Sequence, residues 1–252
     1  MIKVENLYKT YGKDVRALCG VNFEVRPGEI CGYIGTNGAG KSTTLKILCG
    51  MMDYDEGNVE VLGLKLPDES NEVKEITGYV PESADMFNSL TVKEYFRFIG
   101  DVRCIQADTI IRRSEYFAEL FGFTQHLADS IGKLSKGNKQ KVLISSSLLH
   151  NPDVLLLDEP LNGLDAFSIM IYQDMIIKLA GRGKTILYSS HLLDLMEKVS
   201  SRIIVIDRGK LILDRTKQEL QNSSEFKSLE NLFRGIAAGD SKKEFVYDEA
   251  FS

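Results

Sequence analysis

The sequence predicts an α/β fold: a parallel sheet covered on both faces, antiparallel strands ahead of it, and an all-helical segment set into its middle. Three observations carry this. From Val154 onward, short apolar runs alternate with helical stretches, the pattern of parallel strands joined by crossover helices. Up to about residue 34 the chain alternates apolar and polar positions between turn signals, which reads as antiparallel strands. Between about residues 84 and 150 only helical spacing is found. A chain of 252 residues, 43% hydrophobic, can bury one large core. The expected organisation is a single domain over 1–252, a helical subdomain inserted at 84–150, and a short polar extension over 215–252.

Taken in order, the first strands are punctuated at Tyr11-Gly12-Lys13-Asp14 and Arg26-Pro27-Gly28-Glu29, both turn-forming. Ile30 to Ile34 is a short apolar strand entering a glycine-rich turn, and Lys41 to Cys49 reads as a helix. A second strand pair follows, with Asn58 to Leu62 inside it, and then a buried strand Gly78-Tyr79-Val80 that stops at Pro81. In the helical segment, Thr91 and Glu94 form a capping box ahead of Tyr95, Phe96, Phe98 and Ile99. Helical spacing continues over Ile110 to Phe121 and Gly137 to Leu149. Val154 to Leu157 is continuously apolar, as a strand buried on both faces should be. Then come a helix from Phe167 to Leu179, a strand from Thr185 to Tyr188, a helix from Leu192 to Val199, and a strand from Ile203 to Ile206.

Composition excludes several classes. The net charge is −5 with 27% charged residues, which argues against nucleic acid as a partner. The four cysteines form no CxxC pair and match no metal spacing, so they are expected as small buried residues in a reducing compartment. The N-terminus lacks the apolar core of a signal peptide, and no apolar stretch approaches the ~20 residues that cross a bilayer. Work at a membrane therefore requires a partner that supplies the spans.

Gly35-Thr36-Asn37-Gly38-Ala39-Gly40-Lys41-Ser42 fits GxxxxGK[ST] and predicts a P-loop NTPase core. Glycines let backbone N–H groups turn towards phosphates, and the following helix, with Thr43 in its first turn, adds its positive end. Lys41 is placed to reach the β- and γ-phosphates of a nucleotide, and the Ser42 hydroxyl to ligate Mg²⁺. Asp158 and Glu159 leave the end of the apolar run Val154 to Leu157, the edge of a parallel sheet where ligands bind. There Asp158 can support Mg²⁺, and Glu159 can orient and deprotonate a water.

With these motifs in place the sequence resembles the ATP-binding subunit of ABC transporters over nearly its whole length. Leu134-Ser135-Lys136-Gly137-Asn138 is similar to the family's LSGGQ segment, Leu161-Asn162-Gly163-Leu164-Asp165 to its D-loop, and Ser189-Ser190-His191 to its switch segment. The short interval from Lys41 to Leu134 excludes relatives whose halves are split by long coiled coils. The resemblance implies the ABC ATPase fold, with ATP and Mg²⁺ as ligands and catalytic roles for Glu159 and for His191, at the γ-phosphate. It also implies an aromatic on adenine, for which Tyr11 is the candidate; the other reading of Tyr11, with Tyr8 close by, is a core residue. Two such subunits, copies or paralogues, should pair head-to-tail, so that Ser135, Lys136, Gly137 and Asn138 meet the partner's nucleotide. A multi-span permease at the cytoplasmic face of the membrane is the implied outer partner, with the helical segment relaying motion to it.

Two departures matter. Glu82 stands where most members carry a glutamine; an ionised carboxylate only accepts hydrogen bonds but binds Mg²⁺ more strongly. Direct contact of Glu82 with the metal stays open, and similar exporter-type members share the glutamate. Lys136 replaces a glycine and Asn138 a glutamine of LSGGQ, as in LSKG forms of the same exporter-like branch. For the lysines at 133, 136, 139 and 141, a phosphate contact across the interface and a merely solvated helix start are both open. The competing function is an ABC-type ATPase acting on a protein partner without a permease. A small-molecule kinase has no use for the LSKGN segment.

Overall fold

The computed structural model describes residues 1–83, 86–223 and 226–238. Strands β1 (Ile2–Tyr11), β2 (Val15–Val25), β4 (Glu56–Val61) and β5 (Leu64–Leu66) form an antiparallel sheet in the order β2-β1-β4-β5. The larger sheet contains β3 (Ile30–Ile34), β6 (Thr77–Val80), β7 (Val154–Asp158), β8 (Thr185–Ser189), β9 (Arg202–Asp207) and β10 (Lys210–Thr216), in the order β10-β9-β3-β8-β7-β6. Its pairings are parallel, except that β10 closes the edge antiparallel to β9. That edge strand lies beyond the last strand legible in the sequence.

The apolar runs have a physical reason. Alternate residues of a strand point to opposite faces, and each face of this sheet has its own core. Ile30 and Ile34, Leu155 and Leu157, Ile186 and Tyr188, and Ile203 and Val205 face one core. Cys31 and Tyr33, Val154 and Leu156, Leu187, and Ile204 and Ile206 face the other. The second core also takes Ile2, Val4, Leu18 and Phe23 from the antiparallel sheet and Leu45 and Leu48 from α1 (Lys41–Leu48). With both faces buried, a strand has no polar side to show.

After α2 (Ser70–Ile76) and β6 comes the helical insertion: α3 (Val92–Val102), α4 (Ala107–Leu120), two 3₁₀ turns, and α5 (Lys136–Ser147). Among the described residues its only β feature is an isolated bridge between Thr91 and Ser130. The capping box is present: Glu94 N–H donates to Thr91 Oγ1 at 3.2 Å, and Thr91 N–H to the Glu94 carboxylate at 2.8 Å. Helices α6 (Ala166–Gly181) and α7 (Leu193–Val199) cross between the last parallel strands. The extension expected at 215–252 holds α8 (Lys217–Gln221) and α9 (Leu229–Ala238); its remainder, from residue 239, lies outside the described residues. Of the cysteines expected to be buried, Cys31 and Cys49 are, Cys19 is half-buried, and Cys104 is exposed in the turn after α3.

Candidate functional site

The glycine turn Gly35 to Gly40 joins β3 to α1. Two glycines are required by their surroundings. A Cβ at Gly40, whose φ is +110°, would lie 2.6 Å from the Ala17 carbonyl oxygen, and one at Gly35 would strike the Ile206 carbonyl. The β9–β10 turn braces the loop from behind: Gly209 N–H donates to Ala39 O at 3.0 Å, and Thr36 Oγ1 donates to the Asp207 carboxylate at 3.1 Å. Lys41 Nζ donates to Gly35 O at 2.8 Å and Thr36 O at 3.1 Å. Burial lowers the Lys41 ammonium below its ordinary value, against the pull of Glu159, Asp158 and Glu82.

A cavity of about 390 Å³ opens over this loop. It brings together Tyr11, Asn37, Gly38, Gly40, Lys41, Ser42, Thr43, Glu82, Asp158, Glu159 and His191. Sequence reasoning missed its remaining wall, Val15, Arg16 and Ala17, for which no motif exists. Tyr8 is not part of the lining. Tyr11 is held there by its hydroxyl, 3.2 Å from Thr43 Oγ1 and 3.1 Å from Met52 Sδ. Gly35, Thr36 and Ala39 form the loop's back rather than the cavity wall.

Asp158 and Glu159 are both buried. Ser189 Oγ donates to Asp158 Oδ1 at 2.7 Å. Glu159 has a φ of +48°, rare for a residue with a side chain, and its N–H donates to Ser189 O at 3.0 Å. His191 Nδ1 lies 2.8 Å from Glu159 Oε1, and His191 N–H donates to Glu159 Oε2 at 3.2 Å. Burial raises the Glu159 carboxyl above its ordinary value, and the His191 contacts and Lys41 oppose this. A carboxyl moved towards neutrality is a better proton acceptor at working pH.

Ser135, Lys136, Gly137 and Asn138 stand apart from this cavity, at the start of α5. Ser135 caps the helix, accepting from Asn138 N–H at 3.2 Å. Gly137 packs on Gly163, Gln140 Nε2 donates to Pro160 O at 2.9 Å, and Lys141 Nζ pairs with Asp165 at 2.9 Å. The four lysines therefore differ. Lys133 and Lys136 are exposed, Lys139 reaches Asn88 Oδ1 at 3.3 Å, and Lys141 is buried against Asp165.

A family model described as "ABC transporter" matches residues 18–162, from within β2 to the start of the D-loop segment. An uncharacterized ABC transporter ATP-binding protein of Methanocaldococcus jannaschii is 35% identical over 99% of this chain and 88% of its own length. The chain belongs to the ABC transporter family, as an ATP-binding protein. Like other cassettes of this family it binds and hydrolyses ATP. The linearmycin resistance ATP-binding protein LnrL of Bacillus subtilis is 33% identical, over 87% of this chain and 70% of LnrL. A solved ATP-binding subunit of an ABC transporter shares the fold at a TM-score of 0.87, with 28% identity, covering 94% of this chain and 99% of that one.

Proposed function

We propose that this ABC cassette energises a membrane permease, as an exporter, by ATP-driven closure of a head-to-tail dimer. The observation that carries the dimer is a division of the site within one chain. The loop, both carboxylates and His191 share one cavity, whereas Ser135 to Asn138 lie outside it. A second copy or paralogue, placed about a two-fold axis, brings its Ser135 and Gly137 to this chain's nucleotide. ATP then favours the closed form by binding it better.

Within the cavity, the loop amides and Lys41 take the phosphates, and Tyr11 faces the base. Ser42, Asp158 and Glu82 offer hard oxygen donors around one space. That donor set suits Mg²⁺, which keeps several waters and needs only one or two carboxylates beside phosphate oxygens. Held by Ser42, Asp158 and Glu82, such an ion would offset the negative charge of the phosphates. Glu159 orients and deprotonates the attacking water, and His191 fixes the Glu159 carboxylate while facing the γ-phosphate side. The helical insertion carries Phe87 and Phe98, both exposed, in an edge-to-face pair with centroids 5.2 Å apart. Exposed aromatics of this kind favour a permease contact on that surface. Export is supported by the likeness to LnrL, by Glu82 and by the LSKG form.

Glu159→Gln tests the assignment. ATP binding should persist, turnover should fall by about 10²-fold or more, and size-exclusion chromatography with ATP should show a stable dimer. A monomer with normal turnover removes Glu159 from this role.

A further inference from the structure

The hydroxyl of Ser189 lies against Asp158, and the likeness of its segment to the family's switch gives that hydroxyl no role. Strands β7 and β8 are parallel neighbours whose register sets Asp158 directly beside Ser189. Both residues are buried, at 2% and 0% exposure. A hydroxyl has one proton to give, and here it goes to Asp158 Oδ1 at 2.7 Å. Ser189 Oγ also lies 3.4 Å from Glu159 N, and that N–H donates to Ser189 O at 3.0 Å. One residue of β8 thus holds the side chain of Asp158 and the backbone of Glu159.

We propose that Ser189 is a positioning residue: its hydroxyl orients the Asp158 carboxylate for Mg²⁺ and fixes the turn that presents Glu159. This rests on the reading of Asp158 as a supporter of Mg²⁺. The physical reason is specific. A buried carboxylate with no donor on one oxygen can rotate about its last bond, whereas a short hydrogen bond to Oδ1 restrains the carboxylate of a residue that lines the cavity. Charge-assisted bonds of this kind are the strong ones. Outer partners of metal-supporting groups typically govern metal affinity over about 10- to 100-fold. Among the described residues Ser189 supplies the one side-chain donor to this carboxylate.

The test separates metal binding from nucleotide binding in the intact protein. Mn²⁺ serves as the probe, its binding with ATP followed by electron paramagnetic resonance, and ATP affinity without metal is followed with a fluorescent nucleotide. Ser189→Ala should weaken Mn²⁺ binding about tenfold or more and leave metal-free ATP affinity unchanged. Ser189→Thr, which restores a hydroxyl, should recover Mn²⁺ binding. Ser189→Val provides the same comparison against Thr at equal volume if the alanine variant folds poorly. Wild-type Mn²⁺ affinity in the variants without a hydroxyl overturns the proposal, and so does equal loss in Thr and Val. Asp158→Asn is the control on the underlying reading. If it keeps full Mn²⁺ affinity, the role of Asp158 falls; if it loses affinity while Ser189→Ala does not, only the role of Ser189 falls.

Discussion

Burial determines the charge of His150. The residue lies in the stretch of chain between α5 and β7, with Nε2 3.1 Å from Thr77 O at the start of β6. Arg103 also donates to Thr77 O and Lys74 O, so a cation faces the imidazole from α3. Desolvation, then Arg103, Arg113 and Lys184, push His150 down to about 4, against the hydrogen bond to Thr77. In the unfolded chain the same group takes a proton near 6.5. Between those values the unfolded state binds more protons than the folded one. Stability therefore rises with pH through this window and is lost as pH falls from about 6.5 towards 4. Melting temperatures measured across that range should drop for the native protein and drop less for His150→Gln. Equal slopes for the two would show that His150 does not carry the effect.

At the scale of elements, α5 is joined to the chain leading into α6 by Gly137 on Gly163, Gln140 on Pro160 and Lys141 on Asp165. A Cβ on Gly137 would lie 2.5 Å from the Gly163 carbonyl, a backbone atom that can move only with its whole turn. Gly137→Ala should cost about 1–3 kcal/mol in denaturant melts despite alanine's better helix propensity. Gly181→Ala, where nothing lies within 4 Å, is the control and should gain up to about 1 kcal/mol. Equal effects at both positions would mean that α5 is not pressed on Gly163. The glycine at 137 and the D-loop segment were legible as motifs, but their contact was not, because they meet only after folding. The same limit governs the rest. Strands β3, β7, β8 and β9 were visible as apolar runs because both faces are buried. Strand β10 escaped because KLILDRT is an edge, partly exposed on both sides. Helix α2 escaped because seven residues with Val73 alone buried give no periodicity. In the site, Lys41, Asp158 and Glu159 stand in local patterns, and His191 is marked by the resemblance of its segment to the family's switch. The contact of Ser189 with Asp158 and the placing of Arg16 and Asp207 come through strand register and loop bracing, which local pattern does not encode.

At the scale of the whole molecule, the candidate site and the exposed aromatic pair lie on different parts of the chain. The cavity over the glycine loop lies where β3 and β7 end, while the exposed Phe87–Phe98 pair belongs to the helical insertion and lines no part of that cavity. Glu82, at the cavity wall, lies a few residues ahead of Phe87 along the chain. No helix among the described residues is long and apolar enough to cross a membrane. Pull-down from detergent-solubilised native membranes should recover a multi-span protein that raises ATP hydrolysis. Replacing Phe87 and Phe98 by Asp together should abolish that stimulation and leave basal hydrolysis intact, because neither ring touches the cavity. Loss of basal hydrolysis would place the pair in the fold rather than in a docking surface. A soluble protein recovered instead of a permease would keep the ATPase and its site unchanged, and would transfer the force of dimer closure from a membrane channel to that protein.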